Sequence, residues 1–306
     1  MTRLTGNKIL VTGPAGQIAF PLAARLAREN EVWGIARFGD PAGRERVEKA
    51  GIRACRVDLA DPDWGDLPDG FDYVLHLAAA IVPGTDFDSA LRINAEGTGH
   101  VMSRFRGAKA CLVMSTCGVY ASPADPHHAC AEGDPLGGSP QPYAPTYCVS
   151  KIAQEAVARF AAVEYGLPTI LARMNAACGD NGGLPAMLLD AILAGHPIPL
   201  LAGRASVCSP IHEDDIFTQT PGLLAAASIP ATITNWGGDE PVEIPEMCRY
   251  MAERVGRRVE FVESPEGIHQ YRLAGTRRSE LAGPCRVPWR EGVERMIAAR
   301  HPELVG

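Results

Sequence analysis

Along the first part of the chain, short and mainly apolar runs alternate with longer stretches whose apolar residues recur every three or four positions. The runs are Lys8–Val11, Glu31–Arg37, Arg53–Leu59, Tyr73–Ala80, Leu112–Tyr120 and Thr169–Met174. A run apolar on both faces predicts a strand buried on both sides, and the amphipathic stretches predict helices that cover it. One such helix follows the first run to about Arg28; another carries Ile152, Ala156, Val157, Phe160 and Ala161. Alternation at this spacing predicts an α/β fold with a doubly wound parallel sheet. After Arg173 the order changes. A Gly-rich turn (Cys178–Gly183) leads to a helix (Pro185–Ala194), a segment Pro210–Ile216 whose acids are expected to cap another helix, and a strand Thr232–Gly238 that rejoins the sheet. Residues 241–306 read as two helices around a strand, Val259–Val262.

The first strand runs into Thr12-Gly13-Pro14-Ala15-Gly16-Gln17-Ile18-Ala19. Strand, glycine turn and helix in that order form a phosphate cradle. Gly13 permits the tight turn, Gly16 lets backbone approach a pyrophosphate, and Ala19 allows close helix–strand packing, while Ala15, Gln17 and Ile18 offer amides at the positive end of the helix. The end of the second strand distinguishes two dinucleotides. An acid there takes the ribose hydroxyls of NAD, whereas this chain has Ala36 and then Arg37, which suits a 2′-phosphate. NADP(H) is therefore the expected cofactor, with NAD as the alternative. Asp58 and Leu59, ending the third run, are placed to meet an adenine edge, and Leu77, Ala78 and Ala79 are small or apolar where a cofactor passes close to backbone. The expected division is a Rossmann-type dinucleotide-binding domain of residues 1–173 plus about 212–240, and a smaller C-terminal substrate-binding lobe of about 174–211 plus 241–306.

In the stretch Tyr143–Glu155, Tyr147 precedes Lys151 by four residues, one turn apart on one helix face. A fixed cation beside a phenol favours the phenolate, which a general acid–base tyrosine needs near neutrality. His76, in an apolar strand, is expected to be a satisfied core histidine. The loop 122–142, rich in Pro, Asp and Gly, is long enough for a lid or substrate wall.

With 306 residues, 46% of them hydrophobic, the chain can bury a sizeable core. A net charge of -7 argues against a nucleic-acid partner, and the basic clusters Arg37–Arg46 and Arg254–Arg258 are interleaved with acids. No apolar run spans a bilayer or forms a signal core, so a cytoplasmic protein with no membrane partner is expected. Nine cysteines without a Cys-x-x-Cys fit free thiols in a reducing compartment. His127-His128 precede Cys130, but the spacings of known zinc sites are absent, and no metal is expected.

These motifs together resemble the extended short-chain dehydrogenase/reductases, the NAD-dependent epimerase/dehydratase family, over nearly the whole chain. The resemblance rests on Thr12-Gly13-x-x-Gly16-x-x-Ala19, Asp58-Leu59, His76-Leu77-Ala78-Ala79, Asn94 with Gly97-Thr98, Ser115-Thr116-x-x-Val119-Tyr120, Tyr147-x-x-x-Lys151, Arg173 with Gly179, Ile211-His212-x-x-Asp215, and Asn235-x-Gly237-Gly238. It implies that Tyr147 is the acid–base residue and that Lys151 binds the nicotinamide ribose and lowers the phenol's pKa. It further implies that Thr116 hydrogen-bonds the substrate oxygen, that Asn94 orders the helix near Lys151, and that the protein is a homodimer.

Departures from the family narrow the expected function. Family dehydratases carry Asp-Glu after the threonine, where this chain has Cys117-Gly118. Nucleotide-sugar epimerases carry an Asn and an Arg for the diphosphate where this chain has Ala176 and Cys208, with Asn175 and Arg204 nearby. Cys117, Gly118, Asn175, Ala176 and Cys208 are the candidate substrate contacts, in a small and fairly apolar pocket. The expected activity is an NAD(P)-dependent oxidoreductase that interconverts a secondary alcohol and a ketone on a small or medium metabolite. A nucleotide-sugar 4-epimerase with tightly bound NAD is the alternative. A non-catalytic NADP(H)-binding sensor is a second, weakened by the joint presence of Thr116, Tyr147, Lys151 and Asn94.

Overall fold

The computed structural model describes residues 3–81, 83–138 and 144–304. Tyr143 and residues 139–142 of the long loop lie outside the described residues. Strands β1 (Lys8–Thr12), β2 (Glu31–Ala36), β3 (Arg53–Arg56), β4 (Tyr73–His76), β5 (Ala110–Thr116) and β6 (Thr169–Met174) are followed by the short β7 (Ala177–Cys178), β8 (Ile198–Leu201), β9 (Val207–Cys208) and β10 (Ile211–His212), then β11 (Thr232–Trp236), β12 (Val242–Glu243) and β13 (Phe261–Ser264). The helices are α1 (Ala19–Leu26), α2 (Pro41–Lys49), α3 (Phe87–Leu91), α4 (Gly97–Arg104), α5 (Tyr147–Glu164), α6 (Leu184–Leu193), α7 (Glu213–Ala225), α8 (Ile244–Arg254), α9 (Thr276–Ala282) and α10 (Trp289–Arg300).

Seven strands form one sheet in the order β11-β6-β5-β4-β1-β2-β3, and every pairing in it is parallel. The continuous apolar runs resolve into two faces. Ile9, Val11, Leu112, Met114, Ile170 and Ala172 face a core shared with α1, α7 and α9. Leu10, Cys111, Val113 and Leu171, one residue out of phase, face a second core shared with α4 and α5. Period-two alternation hidden inside an all-apolar run is what burial on both faces produces. A third apolar cluster, drawn from 176–208 and 242–297, packs α6, α8 and α10 together.

Several boundaries differ from the sequence expectation, each for a local reason. β4 stops at His76, not Ala80, because the amides of Leu77 and Ala78 turn to the Thr12 hydroxyl. β5 stops at Thr116, not Tyr120, because the Thr116 hydroxyl accepts the Gly118 amide and opens a 3₁₀ turn over Cys117–Val119. The first helix ends at Leu26. The third strand ends at Arg56, and the Asp58 carboxylate accepts the Ala60 amide in the turn that follows. At α7 the cap is His212, whose Nδ1 accepts the Asp214 amide, and Glu213, Asp214 and Asp215 occupy the first turn, where the helix dipole favours them. Among the described residues, 241–304 hold three α-helices rather than two, with strands at Val242–Glu243 and Phe261–Ser264. The extra helix, α9, carries the fully buried Arg278, which donates to Asp239 and to the Gly283 carbonyl and breaks the expected amphipathic pattern. No described helix is long and apolar enough to cross a membrane, and the nine cysteines are free thiols.

Gly34 links the sheet to the phosphate turn: a Cβ there would lie 2.6 Å from Pro14 Cγ. Replacing it with valine is expected to overpack this contact and cost about 1–3 kcal/mol of stability. A urea denaturation midpoint equal to that of the parent chain would contradict this packing.

Candidate active site

A groove of about 810 Å³ runs along the C-terminal ends of β1, β2 and β4. Open parallel sheets of this kind bind ligands in that crevice. Its floor at one end is the glycine turn: Gly13 has φ +67°, its amide donates to the Ile35 carbonyl, and the Gly16 amide donates back to the Gly13 carbonyl at 2.9 Å. A Cβ at Gly13 would sit 3.1 Å from Ala78 Cα, so only glycine gives both the left-handed turn and this approach. Gly13, Ala15, Gly16, Gln17 and Ile18 line this part of the groove. Arg37, Asp58 and Leu59 line it at one end, and Leu77, Ala78 and Ala79 form its middle. Tyr147 and Lys151 line it as well. The groove thus joins the whole predicted cofactor set.

The position of Tyr147 and Lys151 depends on a chain of buried hydrogen bonds. The Thr12 hydroxyl accepts the amides of Leu77 and Ala78, so its proton goes to His76 Nδ1 at 2.9 Å. The opposite ring nitrogen, Nε2, therefore carries the hydrogen and donates to Thr98 Oγ1 at 2.7 Å. Thr98 also accepts from Gln154 of α5 and donates to the Asn94 carbonyl. Burial, with the Lys151 charge nearby, pushes the His76 imidazole down to about 3, so it remains neutral. His76 is a satisfied core histidine, as its apolar strand implies.

Asn94 completes the chain. It sits in a wide π-helical turn, Arg92–Glu96, set between α3 and α4. Its Oδ1 accepts the Ala80 amide at 2.7 Å, while its Nδ2 donates to the Ala80 carbonyl and to Ser150 Oγ at 2.8 Å. Ser150 in turn donates to the Tyr147 carbonyl. Asn94 thus clamps the groove floor to the first turn of α5.

Lys151 is 1% exposed, and its Nζ donates to the Met114 carbonyl at 2.7 Å. Burial pushes its ammonium down to about 7, with Glu155, one turn further along α5, opposing that shift. Glu155 is itself buried, in a bidentate pair with Arg173 at 2.9 and 2.7 Å, and accepts Ser115 Oγ at 2.6 Å. Thr116 stands at the end of β5, partly exposed. Of the candidate substrate contacts, Cys117, Gly118, Asn175, Ala176 and Cys208 are all buried, and the structure does not bring them into the groove lining. The Asn175 amide is engaged three times, with the Tyr271 carbonyl and the amides of Ala176 and Ser209. Burial pushes the Cys117 thiol up to about 12 and raises that of Cys208 as well.

Other residues at the site carry no motif signal. Asn181 donates to the Gly16 and Gln17 carbonyls and pairs with Arg46, whose guanidinium lies 3.6 Å from the Phe20 ring centre. Ser150 and Gln154 meet partners 56 residues away, a pairing invisible in local sequence. Glu155 had one available signal, its helical spacing behind Tyr147 and Lys151.

Comparison with known proteins supports the fold that carries this groove. A UDP-glucuronic acid 4-epimerase from Bacillus cereus, in complex with UDP-glucuronic acid and NAD, superposes with a TM-score of 0.81 at 21% identity, over 97% of this chain and 99% of that one. A UDP-N-acetylglucosamine 4-epimerase from Methanobrevibacter ruminantium M1 gives 0.81 at 17% identity, over 98% and 100%. Likeness at these identities establishes the fold. An L-arabinose 1-dehydrogenase (NAD(P)(+)) of Haloferax volcanii is 29% identical over 177 residues, which are 55% of this chain and 66%, just under two thirds, of that protein. Residues 9–217 match the NAD dependent epimerase/dehydratase family. The chain belongs to that family.

Proposed function

We propose that the protein is an NADP(H)-dependent oxidoreductase that interconverts a secondary alcohol and a ketone on a small or medium metabolite. The observation that carries this reading is the placement of Tyr147 and the buried Lys151 along one dinucleotide-sized groove. When bound, the nicotinamide supplies or accepts the hydride. Tyr147 exchanges a proton with the carbinol oxygen, and Lys151 favours the phenolate when charged. The Gly118 amide donates to Thr116 Oγ1, which leaves that hydroxyl its own proton to give to a substrate oxygen. Asn94 holds the helix that carries Tyr147, through Ser150.

Two observations favour this over a nucleotide-sugar 4-epimerase. The nearby polar groups suited to a diphosphate are already engaged: Asn175 by three hydrogen bonds, and Arg204 by the Pro123 carbonyl. The relative from Haloferax volcanii is named as a dehydrogenase of a sugar without a nucleotide, which favours net oxidation or reduction over epimerisation. Cofactor choice rests on Arg37, exposed at the groove and without a hydrogen bond or ion pair among the described residues, and on Arg46 beside it. Val149, Phe160 and Val163 are exposed on α5, which supports a homodimer through that helix.

Tyr147→Phe is expected to lower kcat by about 10²–10⁴-fold while leaving cofactor affinity nearly unchanged. Stopped-flow turnover and a binding titration check this, and near-parental turnover would sink the assignment. Arg37→Ala is expected to weaken NADPH binding by about tenfold or more, the worth of a charge-assisted hydrogen bond, with NADH little affected. Equal losses for both would show that Arg37 does not read the 2′-phosphate. Asn94→Ala is expected to lower kcat by about tenfold or more, because a small displacement of the acid–base group is costly. Circular dichroism must show the fold retained, and unchanged kcat would remove Asn94 from the positioning role. Cofactor released from freshly purified protein separates the two activities: tightly held NAD without net turnover would favour the epimerase.

A further inference from the structure

The loop between the 3₁₀ turn and α5 carries a cluster that the proposed reaction does not use. His128 Nε2 lies 2.5 Å from Asp134 Oδ2, and Cys130 Sγ joins them so that the three donor atoms all lie within 4.8 Å of one another. We propose that His128, Cys130 and Asp134 form a binding site for a borderline-soft divalent cation such as Zn²⁺, with a fourth position open to water. Imidazole, thiolate and carboxylate are the donors such an ion takes, and three protein ligands plus water is an established coordination pattern. The His128-x-Cys130-x-x-x-Asp134 spacing matches no common zinc motif, and only folding brings Asp134 into the set.

The donors are held from behind. Cys130 is fixed by backbone, its amide donating to the Arg272 carbonyl and its carbonyl accepting from the Ala274 amide and Asn235 Nδ2. Asp134 Oδ2 accepts the Ala131 amide at 3.0 Å, a contact that orients the carboxylate as outer-shell partners do in metal sites. The His128 amide donates to the Asp125 carbonyl. Cys130 is 1% exposed while the His128 and Asp134 side chains are 46% and 29% exposed, so an ion enters from solvent and meets the thiol at the bottom. Bonds of about 2.0–2.3 Å in a tetrahedron place donor atoms about 3.4 Å apart, so His128 and Asp134 separate by about 1 Å and approach Cys130. Both distances change by movement of the partly exposed His128 and Asp134 side chains toward the fixed Cys130 thiol. Burial holds the Cys130 thiol up at about 11, and ion binding releases its proton to solvent without any redox change.

The ion would brace Glu132, which lies between two of its ligands. The Glu132 carbonyl accepts from Arg173, and its carboxylate accepts the Asn235 amide. The site would therefore staple the loop to the strand ends beneath it.

The test is a titration of reduced, chelator-stripped full-length protein with Co²⁺, followed by Zn²⁺. One Co²⁺ per chain is expected, with a thiolate-to-cobalt charge-transfer band and tetrahedral visible bands that Zn²⁺ abolishes. Cys130→Ser should remove the charge-transfer band, and His128→Ala and Asp134→Asn should each weaken binding by about tenfold or more. His128 is half-exposed, so its variant should fold even if Cys130→Ser does not. No cobalt band in the parent chain would overturn the proposal. So would a band that survives in Cys130→Ser, or an affinity unchanged in His128→Ala, either of which would place the ion at other thiols.

Discussion

The site depends first on the side chain of Asn94. It is fully buried, and its amide uses its oxygen and both of its hydrogens to join the groove-floor segment to α5. A buried amide left unpaired costs about 1–3 kcal/mol, so the arrangement in which every group is satisfied is strongly preferred. On one side lies Ala80, in the segment that lines the groove; on the other is Ser150, bonded to the carbonyl of Tyr147. Hydrogen bonds thus fix the groove floor relative to the helix of the phenol, alongside the apolar packing of α5 on the sheet. The Thr12–His76–Thr98 chain extends the same control to the phosphate turn. Each hydroxyl in it is used as both donor and acceptor, which leaves His76 a single tautomer.

A second constraint concerns charge. Lys151, Glu155 and Arg173 are buried together, two cations around one anion. Glu155 serves Arg173 through two hydrogen bonds and acts on Lys151 only across space, so Lys151 keeps a labile proton near neutrality while Arg173 stays charged. Buried pairs of this kind contribute little net stability compared with an apolar substitute. Here the pair fixes the β6 end and α5 relative to each other, and its Arg173 end reaches the loop through the Glu132 carbonyl.

Most of the fold, and the grouping of the candidate residues along one groove, were legible in the sequence because both are local. A both-faces-buried strand has to be apolar throughout, and a phosphate turn needs glycine where φ is positive, so Gly13 announces itself. Tyr147 and Lys151 are readable for the same reason, their helical spacing. The substrate side was less legible. Asn175 and Cys208 occupy positions that suggest a pocket, yet Asn175 is consumed by backbone groups from two distant segments, which no local pattern encodes. Strand ends were misjudged where a threonine hydroxyl captured the next amides, at Thr12 and at Thr116. The helix around Arg278 was missed because a buried arginine interrupts the apolar period on which recognition relies.

The wide turn at Arg92–Glu96 has a geometric consequence. In a regular α-helix, residues four apart drift about 40° around the axis. A π-helical turn advances less per residue and cancels that drift. Asn94 and Thr98 consequently lie on one line along their helix, and they meet Ser150 and Gln154, also four apart on α5. The wide turn therefore sits where its helix makes two buried polar contacts with α5, Asn94 with Ser150 and Thr98 with Gln154.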